Sequence, residues 1–459
     1  MKVLLFGTGE FYQRYKVWFE DDEIAALVDN SKDKQGTYID GKEVIAANNI
    51  LKLQYDAIFI LTFSFTDITK QLVSLGISEE KIFSFNYIHD LLYKPWKRKK
   101  ISIYGEIGRK KEIALLSQDL TLGGPALALY NAAKILQGFG YSVTYASMVD
   151  GPLRELLLKD HIPVVIDQNM LGETMQDNEW IAEYSLVICN TINFHVFLSA
   201  RNTEIPVIWW LHDADFFYEA ANMSALKCVS NQNLTVVAVG SIAGKAMNKY
   251  RPDFKIDNLL YGVEDILLQK KKEKTNNLIQ FVTIGFVEPH KGQDLLVQAI
   301  KGLPSDIRMK CQFLFVGKDI SLFAIKLKEE TKSIPEIQFV GIVDRDKIHS
   351  ILDNADVLIC PSRQDCMPTV CNEAMMHYVP CLVSEATGTA SYITAEMGRV
   401  FKTEDVIDLQ KQIIWFVDHQ DEIASMGEKS RQTYERFFSM EAFAKSLREL
   451  IDKKVQIRI

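Results

Sequence analysis

The 459-residue chain holds seven cysteines (Cys189, Cys228, Cys311, Cys360, Cys366, Cys371, Cys381) yet lacks a C-x-x-C pair. Zinc ribbons and paired redox thiols need that spacing, so neither is expected. Several of the seven lie in apolar runs such as Val357-Leu358-Ile359-Cys360 and read as reduced core thiols. Long apolar runs are missing too: the longest, 57–65, is far too short to cross a bilayer. Positive charge is not in excess, with 52 Lys and Arg against 60 Asp and Glu and a net charge of −8. That balance argues against a dedicated nucleic-acid binder, whose surface must neutralise many phosphates. No internal repeat or low-complexity tract is found. The opening Met1-Lys2-Val3-Leu4-Leu5-Phe6-Gly7 has one lysine and a short apolar run, which reads as a first strand and not as a secretory signal. What is present is ordinary globular material, 47% hydrophobic and 24% charged, enough for about two to four domains. The expected setting is the cytoplasm, at most with attachment to a membrane surface.

Short Val/Ile/Leu-rich runs alternate with helical patterns along most of the chain, the signature of parallel α/β layers. Strands are expected at 2–6, 24–28, 56–61 and 82–84, then in a second series that starts at 112–116 and continues near 142–146, 163–166, 185–189, 206–210 and 235–239. A third series opens at 279–285 and continues near 312–316, 337–340, 357–360 and 380–383, with closing helices at 405–418 and 440–453. Two polar stretches interrupt the pattern, the basic-aromatic segment around Lys94 to Lys100 and the run 269–277. The expected division is a small Rossmann-like domain at 1–98, two facing Rossmann-like domains at 99–265 and 266–440, and a C-terminal helix at 441–459 packing back on the middle domain. Open parallel sheets bind ligands beyond their strand carboxyl ends, so a ligand cleft between the two larger domains is expected.

The strongest chemical cluster is 361–375, Pro-Ser-Arg-Gln-Asp-Cys-Met-Pro-Thr-Val-Cys-Asn-Glu-Ala-Met. A buried strand ends at Cys360, a loop carries Arg363 and Asp365, and Pro368 opens a helix with Glu373 near its start. A carboxylate accepts two hydrogen bonds side by side and so suits the vicinal diol of a ribose or hexose; the plain alternative is a solvated acid and a helix-stabilising glutamate. Gly123-Gly124-Pro125 precedes an apolar helix. A backbone without Cβ approaches a phosphate closely, and the free N–H groups of the helix start point at it; a simple tight turn is the alternative. Asp213-Ala214-Asp215 has the spacing of a D-x-D metal motif, a triplet common by chance, and Asp344-Arg345-Asp346 reads as a helix cap.

Taken together, these elements resemble the retaining GT-B glycosyltransferases of family 4. The acid-x7-Glu pattern from Asp365 to Glu373 is joined by Gly285-Phe286-Val287-Glu288-Pro289-His290-Lys291-Gly292, by Phe313-Leu314-Phe315-Val316-Gly317, and by the loop around Gly388-Thr389. Upstream, Thr121-Leu122-Gly123-Gly124-Pro125 and Val207-Ile208-Trp209-Trp210-Leu211-His212 stand in the order of that family, so the resemblance spans about 112–459. It implies transfer of a sugar from a nucleotide-sugar, first among them a UDP-sugar, with retention of configuration. The acceptor would be a glycan, a lipid-linked glycan or a protein. It implies no cofactor and no metal. Glu373 would hold the ribose hydroxyls, Asp365 the hydroxyls of the transferred sugar, Lys291 the leaving diphosphate, and His212 the sugar or acceptor. Gly123, Gly124, Gly285, Gly388 and Thr389 would bring backbone to the donor. Two departures stand out: the acid at 365 is aspartate where the family usually has glutamate, and Phe286 replaces a common arginine, for which Arg363 is a possible substitute.

The first domain carries half of a dinucleotide fingerprint, Gly7-Thr8-Gly9 after a strand and Asp29 ending the next, but Tyr12 stands where a third glycine belongs. Two readings follow, nucleotide binding or a module for docking and oligomerisation. The Lys94 to Lys100 segment is either a solvated linker or a contact for anionic lipid. Rival readings for the whole chain are a catalytically silent GT-B partner subunit and a sugar-modifying oxidoreductase built on the first domain.

Overall fold

A computed structural model describes the chain except for residues 21, 63, 85–100, 109–110, 169, 172–173, 220, 268–277 and 456–459. The segment from Lys94 to Lys100, with its lipid-contact reading, therefore lies outside the described residues, as does the polar run 269–277.

Three sheets are formed. In the first, the order is Tyr38–Ile39, Lys42–Ile45, Glu23–Val28, Lys2–Phe6, Ala57–Ile60, Ile82–Ser84, parallel except at the small first pair. The second has eight strands, in the order Ile256–Asn258, Leu234–Ala238, Val207–Leu211, Leu186–Asn190, Ile113–Asp119, Val143–Val149, Val164–Asp167 and an antiparallel edge, Ile101–Tyr104. The third is all parallel: Ile337–Gly341, Cys311–Val316, Ile279–Ile284, Val357–Cys360, Cys381–Ser384, Gly398–Phe401. In each sheet the first parallel strand lies centrally, with its successors on one side and later strands on the other. Each sheet therefore has a switch point where two neighbouring loops part, the place where open α/β sheets take their ligands. The loops leaving those central strands are the ones that begin at Gly7, run through Gly123–Gly124, and begin at Gly285.

The central strands read as unbroken apolar runs because helices cover both of their faces. Val357–Cys360 and Cys381–Ser384 are buried at every residue. In the third sheet Phe281 stacks on Phe313 with ring centroids 5.1 Å apart, and Phe315 on Phe339 at 4.8 Å. Full burial of each such ring contributes about 1.5–3 kcal/mol. Trp209 and Trp210 are fully buried, and each indole N–H finds a carbonyl, Thr191 O at 2.7 Å and Leu259 O at 2.9 Å.

By compactness the chain divides into Met1–Trp209 with Asp215–Thr235, and Trp210–Ala214 with Val236–Ile459. Within the latter, helix Met440–Val455 packs Phe443 on Trp210 at 5.5 Å. The strands absent from the sequence reading, Tyr38–Ile39, Lys42–Ile45, Ile101–Tyr104, Ile256–Asn258 and Gly398–Phe401, are short and mostly at or near sheet edges. Ile101–Tyr104 is nowhere buried, so no continuous apolar run announces it. Among the described residues no helix is long and apolar enough to cross a membrane. Six of the seven cysteines are buried, Cys228 is exposed, and none is paired.

Candidate functional site

The site is built at the switch point of the third sheet, where strands Ile279–Ile284 and Val357–Cys360 end side by side. The loop after the first carries Lys291 and the loop after the second carries Asp365. Gly292 brings these two loops together, and Gly388, on the loop after strand Cys381–Ser384, seats a third loop against that of Asp365. Gly292 has φ +69°, and a Cβ there would fall 2.0 Å from the Pro361 carbonyl oxygen. At Gly388 a Cβ would fall 1.7 Å from the Cys366 carbonyl oxygen, while its N–H donates to the Asp365 carbonyl at 2.8 Å. The Asp365 N–H in turn donates to Ala386 O at 3.1 Å. Replacing Gly388 with alanine must push backbone against backbone. We expect a stability loss of about 1–3 kcal/mol by urea unfolding, with loss of nucleotide binding, because the Asp365 loop moves with it. Unchanged binding in a folded variant would show that the 365 and 388 loops do not act together.

Through this packing the Lys291 ammonium meets Asp365 Oδ2 at 2.7 Å, across 74 positions of sequence. Burial alone would lower the Lys291 pKa, but the Asp365 carboxylate outweighs it and holds the ammonium above its ordinary value. Next to it, burial and the Lys291 charge bring His290 down to about 4, so it is neutral at pH 7. A second full-time cation beside Lys291 is thus not supplied by His290.

Nor is it a free Arg363. That guanidinium forks onto Asp294 with two bonds of 2.8 Å and reaches Glu404 Oε1 at 2.6 Å. It also donates to Pro289 O, and the Arg363 N–H donates to His290 O at 2.8 Å. Arg363 therefore staples the turn that presents Lys291, with its charge balanced by two carboxylates. A cation that the sequence did not single out stands over Phe286: the Lys318 ammonium is 5.8 Å from its ring centroid.

Glu373 lies in helix Thr369–Met376 with its side chain 7% exposed. Its Oε1 accepts from Arg345 at 2.6 Å, and the Arg345 side chain is 64% exposed. Arg345 begins helix Arg345–Asn354, which Asp344 caps by accepting from the Lys347 N–H, as the sequence suggested. The pairing of Arg345 with Glu373 was not foreseen. Thr389 is fully buried beneath the same loops, its hydroxyl on Met367 Sδ at 3.5 Å. Tyr261 anchors this loop from below by donating to the Met367 carbonyl.

His212 follows strand Val207–Leu211, its ring 4.7 Å from that of Trp210. Burial lowers its pKa to about 3, and its Nε2 is itself buried and has no hydrogen-bond partner, so the ring is a neutral imidazole with one unsatisfied nitrogen. Among the described residues no group of three or more His, Cys, Asp or Glu is arranged to hold a metal ion, Asp213 and Asp215 included.

In the second sheet, helix Gly124–Gly138 starts after Gly123 with no side-chain cap and with Pro125 in its first turn. Its free N–H groups make an anion-binding end. The neighbouring loop holds Thr191 at φ +69°, a rare conformation for a β-branched residue, with Asn190 donating to Pro125 O at 2.9 Å. These two residues had no signal in the sequence beyond a strand end. In the first domain, Asp29 Oδ2 accepts from Thr8 N, Thr8 Oγ1 and Lys34 Nζ, and Oδ1 from Ser31 N. These bonds hold its carboxyl below the usual range against the opposing effect of burial. An acid so engaged has little left for a ribose.

Residues 265–433 match the family described as glycosyl transferases group 1, 109–241 that of glycosyl-transferase family 4, and 1–83 that of C2185-like N-terminal domains. The lipopolysaccharide glucosyltransferase WaaG of Escherichia coli is 28% identical over 152 residues, 32% of this chain and 39% of that protein. The chain thus aligns with well under half the length of that curated relative. Among solved structures, Anabaena HepE in complex with UDP is 17% identical with a TM-score of 0.61, over 74% of this chain and all of that one. HepE is also solved with UDP-glucose. Sucrose-phosphate synthase of Thermosynechococcus elongatus gives 17% and 0.59, over 76% of this chain and all of that one. These likenesses show the two-domain GT-B fold, here with an additional N-terminal domain that has its own sheet.

Proposed function

The chain belongs to the family 4, group 1 type of glycosyltransferase, and from that premise we propose that it moves a sugar from a UDP-sugar to a glycan, glycolipid or glycoprotein acceptor, with retention and without a metal ion. The observation that carries this reading is the Lys291–Asp365 pair at the switch point of the third sheet, with the buried Glu373 carboxylate on the adjoining helix. Glu373 takes the ribose diol. Donor binding is then an exchange of partners at the pair: the ammonium turns to the diphosphate, and the Asp365 carboxylate to hydroxyls of the sugar. Charge grows on the diphosphate as the glycosidic bond breaks, and a fixed cation there lowers the barrier. The departing phosphate oxygen takes the acceptor proton on the same face, so no protein nucleophile is required. His212, being neutral, serves as a hydrogen-bonding group toward sugar or acceptor.

The UDP and UDP-glucose complexes of HepE, and the name of the WaaG relative, support a UDP-sugar and a lipid-linked acceptor. Residues 1–98 act as a docking or oligomerisation module, a reading supported by the internally satisfied Asp29. The Lys94 to Lys100 segment offers a peripheral contact with anionic lipid at the cytoplasmic face.

The test is incubation of the purified chain with UDP-, GDP-, ADP- and TDP-sugars in the presence of EDTA, followed by NMR. Slow hydrolysis of one donor, a UDP-sugar, is expected. Failure to bind or cleave any donor would replace the enzyme by the silent partner subunit.

A further inference from the structure

A second polar feature of the molecule lies outside the donor machinery. A cavity of about 440 Å³ opens in the second sheet's layer, lined among others by Met175, Gln176, Glu179, Arg201, Asn202 and Thr203. These residues precede strands Leu186–Asn190 and Val207–Leu211, so the cavity is at the amino ends of the strands. The Gly123–Gly124 loop is at the opposite, carboxyl end of the same sheet.

Arg201 is the unusual member. It is 5% exposed, and among the described residues it forms no ion pair. Its NH1 and NH2 reach Ile205 O and Ser230 O at 3.3 and 3.4 Å, both long for hydrogen bonds, and its Nε has no acceptor. The titratable group acting on it is the Cys189 thiol, which burial keeps neutral. A guanidinium stays charged at any physiological pH, and a buried charge without a counter-charge is costly. Two long contacts to carbonyls do not balance that cost; an anion in the cavity does. The cavity falls in the size range of small-molecule sites, and its amide, hydroxyl and carboxylate rim around Met175 suits a hydroxylated ring.

We propose that this cavity binds a sugar-sized molecule bearing a carboxylate or phosphate, with the oxyanion on Arg201 and the hydroxyls on Gln176, Asn202 and Thr203. The site is independent of the donor site, so its occupant is a second ligand of the chain.

Calorimetric titration of the full chain with inorganic phosphate, glucose 6-phosphate, glucuronate and glucose tests this. The anions are expected to bind and glucose is not. Tighter binding of glucose 6-phosphate than of glucuronate identifies a phosphorylated ligand, and the reverse an acidic sugar. Two variants separate binding from folding. Asn202→Asp places a carboxylate at the exposed rim, keeps the bond that residue 202 accepts from the Glu204 N–H, and supplies the missing counter-charge in place of a ligand. Arg201→Gln removes the charge. Each is expected to weaken anion binding about tenfold or more. The proposal fails if none of the three anions binds the unaltered chain, or if either variant binds them as tightly.

Discussion

Lys291→Met is expected to lower turnover about 100- to 1,000-fold, the usual consequence of removing one preorganised charge from a developing anion. The effect should fall on kcat more than on KM, because the ammonium is already held by Asp365 in the free protein and gains most when the diphosphate takes on charge. Removing it also strands Asp365, whose side chain is only 14% exposed. An unfolding curve must therefore accompany the kinetics. Lys291→Arg, which keeps the charge and the bond to Asp365, should recover part of the activity. The pH profile supplies a second reading. Asp365 holds the Lys291 ammonium above its ordinary value, so lysine titration should not reduce the rate between about pH 6 and 9. His290, brought down to about 4, is neutral across that whole window and contributes no step. A decline within it that is lost in Lys291→Arg would contradict the assignment.

Glu373→Ala is expected to weaken UDP binding about 10- to 100-fold, as removal of a charged hydrogen-bond acceptor does. Calorimetry with UDP alone reads it without need of an acceptor. The partner that this change leaves behind, Arg345, is 64% exposed and hydrated, so the fold should tolerate the loss. Arg345 occupies one carboxylate oxygen in the free protein, which makes a companion variant informative. If the guanidinium competes with the ribose, Arg345→Ala tightens UDP binding; if it orients the carboxylate for the diol, the same change weakens it. Binding of UDP that is indifferent to Glu373→Ala would remove Glu373 from the nucleotide site altogether.

Most of this arrangement was legible along the chain wherever it is local. The apolar runs located the central strands, mostly to within a residue or two, because helix-covered parallel strands are apolar at every position; Ile113–Asp119 and Val143–Val149 run three residues past the expected ends, where polar residues enter. Asp344 could be read as a cap, and Gly123-Gly124-Pro125 as a helix start, since each depends on neighbours a few residues away. What sequence spacing does not carry is the partner that a charged side chain finds across the fold. Lys291 and Asp365 are 74 positions apart and meet where Gly292 admits close backbone contact between their loops, while Gly388 seats a third loop on that of Asp365. Arg363 looked like a spare cation, but the geometry gives it to Asp294 and Glu404. Arg345 and Arg201 carried no signal at all: one is an arginine in a helix start, the other an arginine in a loop, and only burial and partners distinguish them. Edge strands such as Ile101–Tyr104 escaped for the related reason that half-exposed residues need not be apolar.

The measurement closest to the central claim is the configuration of the sugar first released from UDP-glucose, followed by proton NMR before mutarotation blurs it. A site that works through Lys291 and Asp365 with no protein nucleophile, the departing phosphate guiding attack from its own face, releases α-glucose first and does so with EDTA present. Initial release of β-glucose, or hydrolysis that stops when EDTA is added, would contradict it.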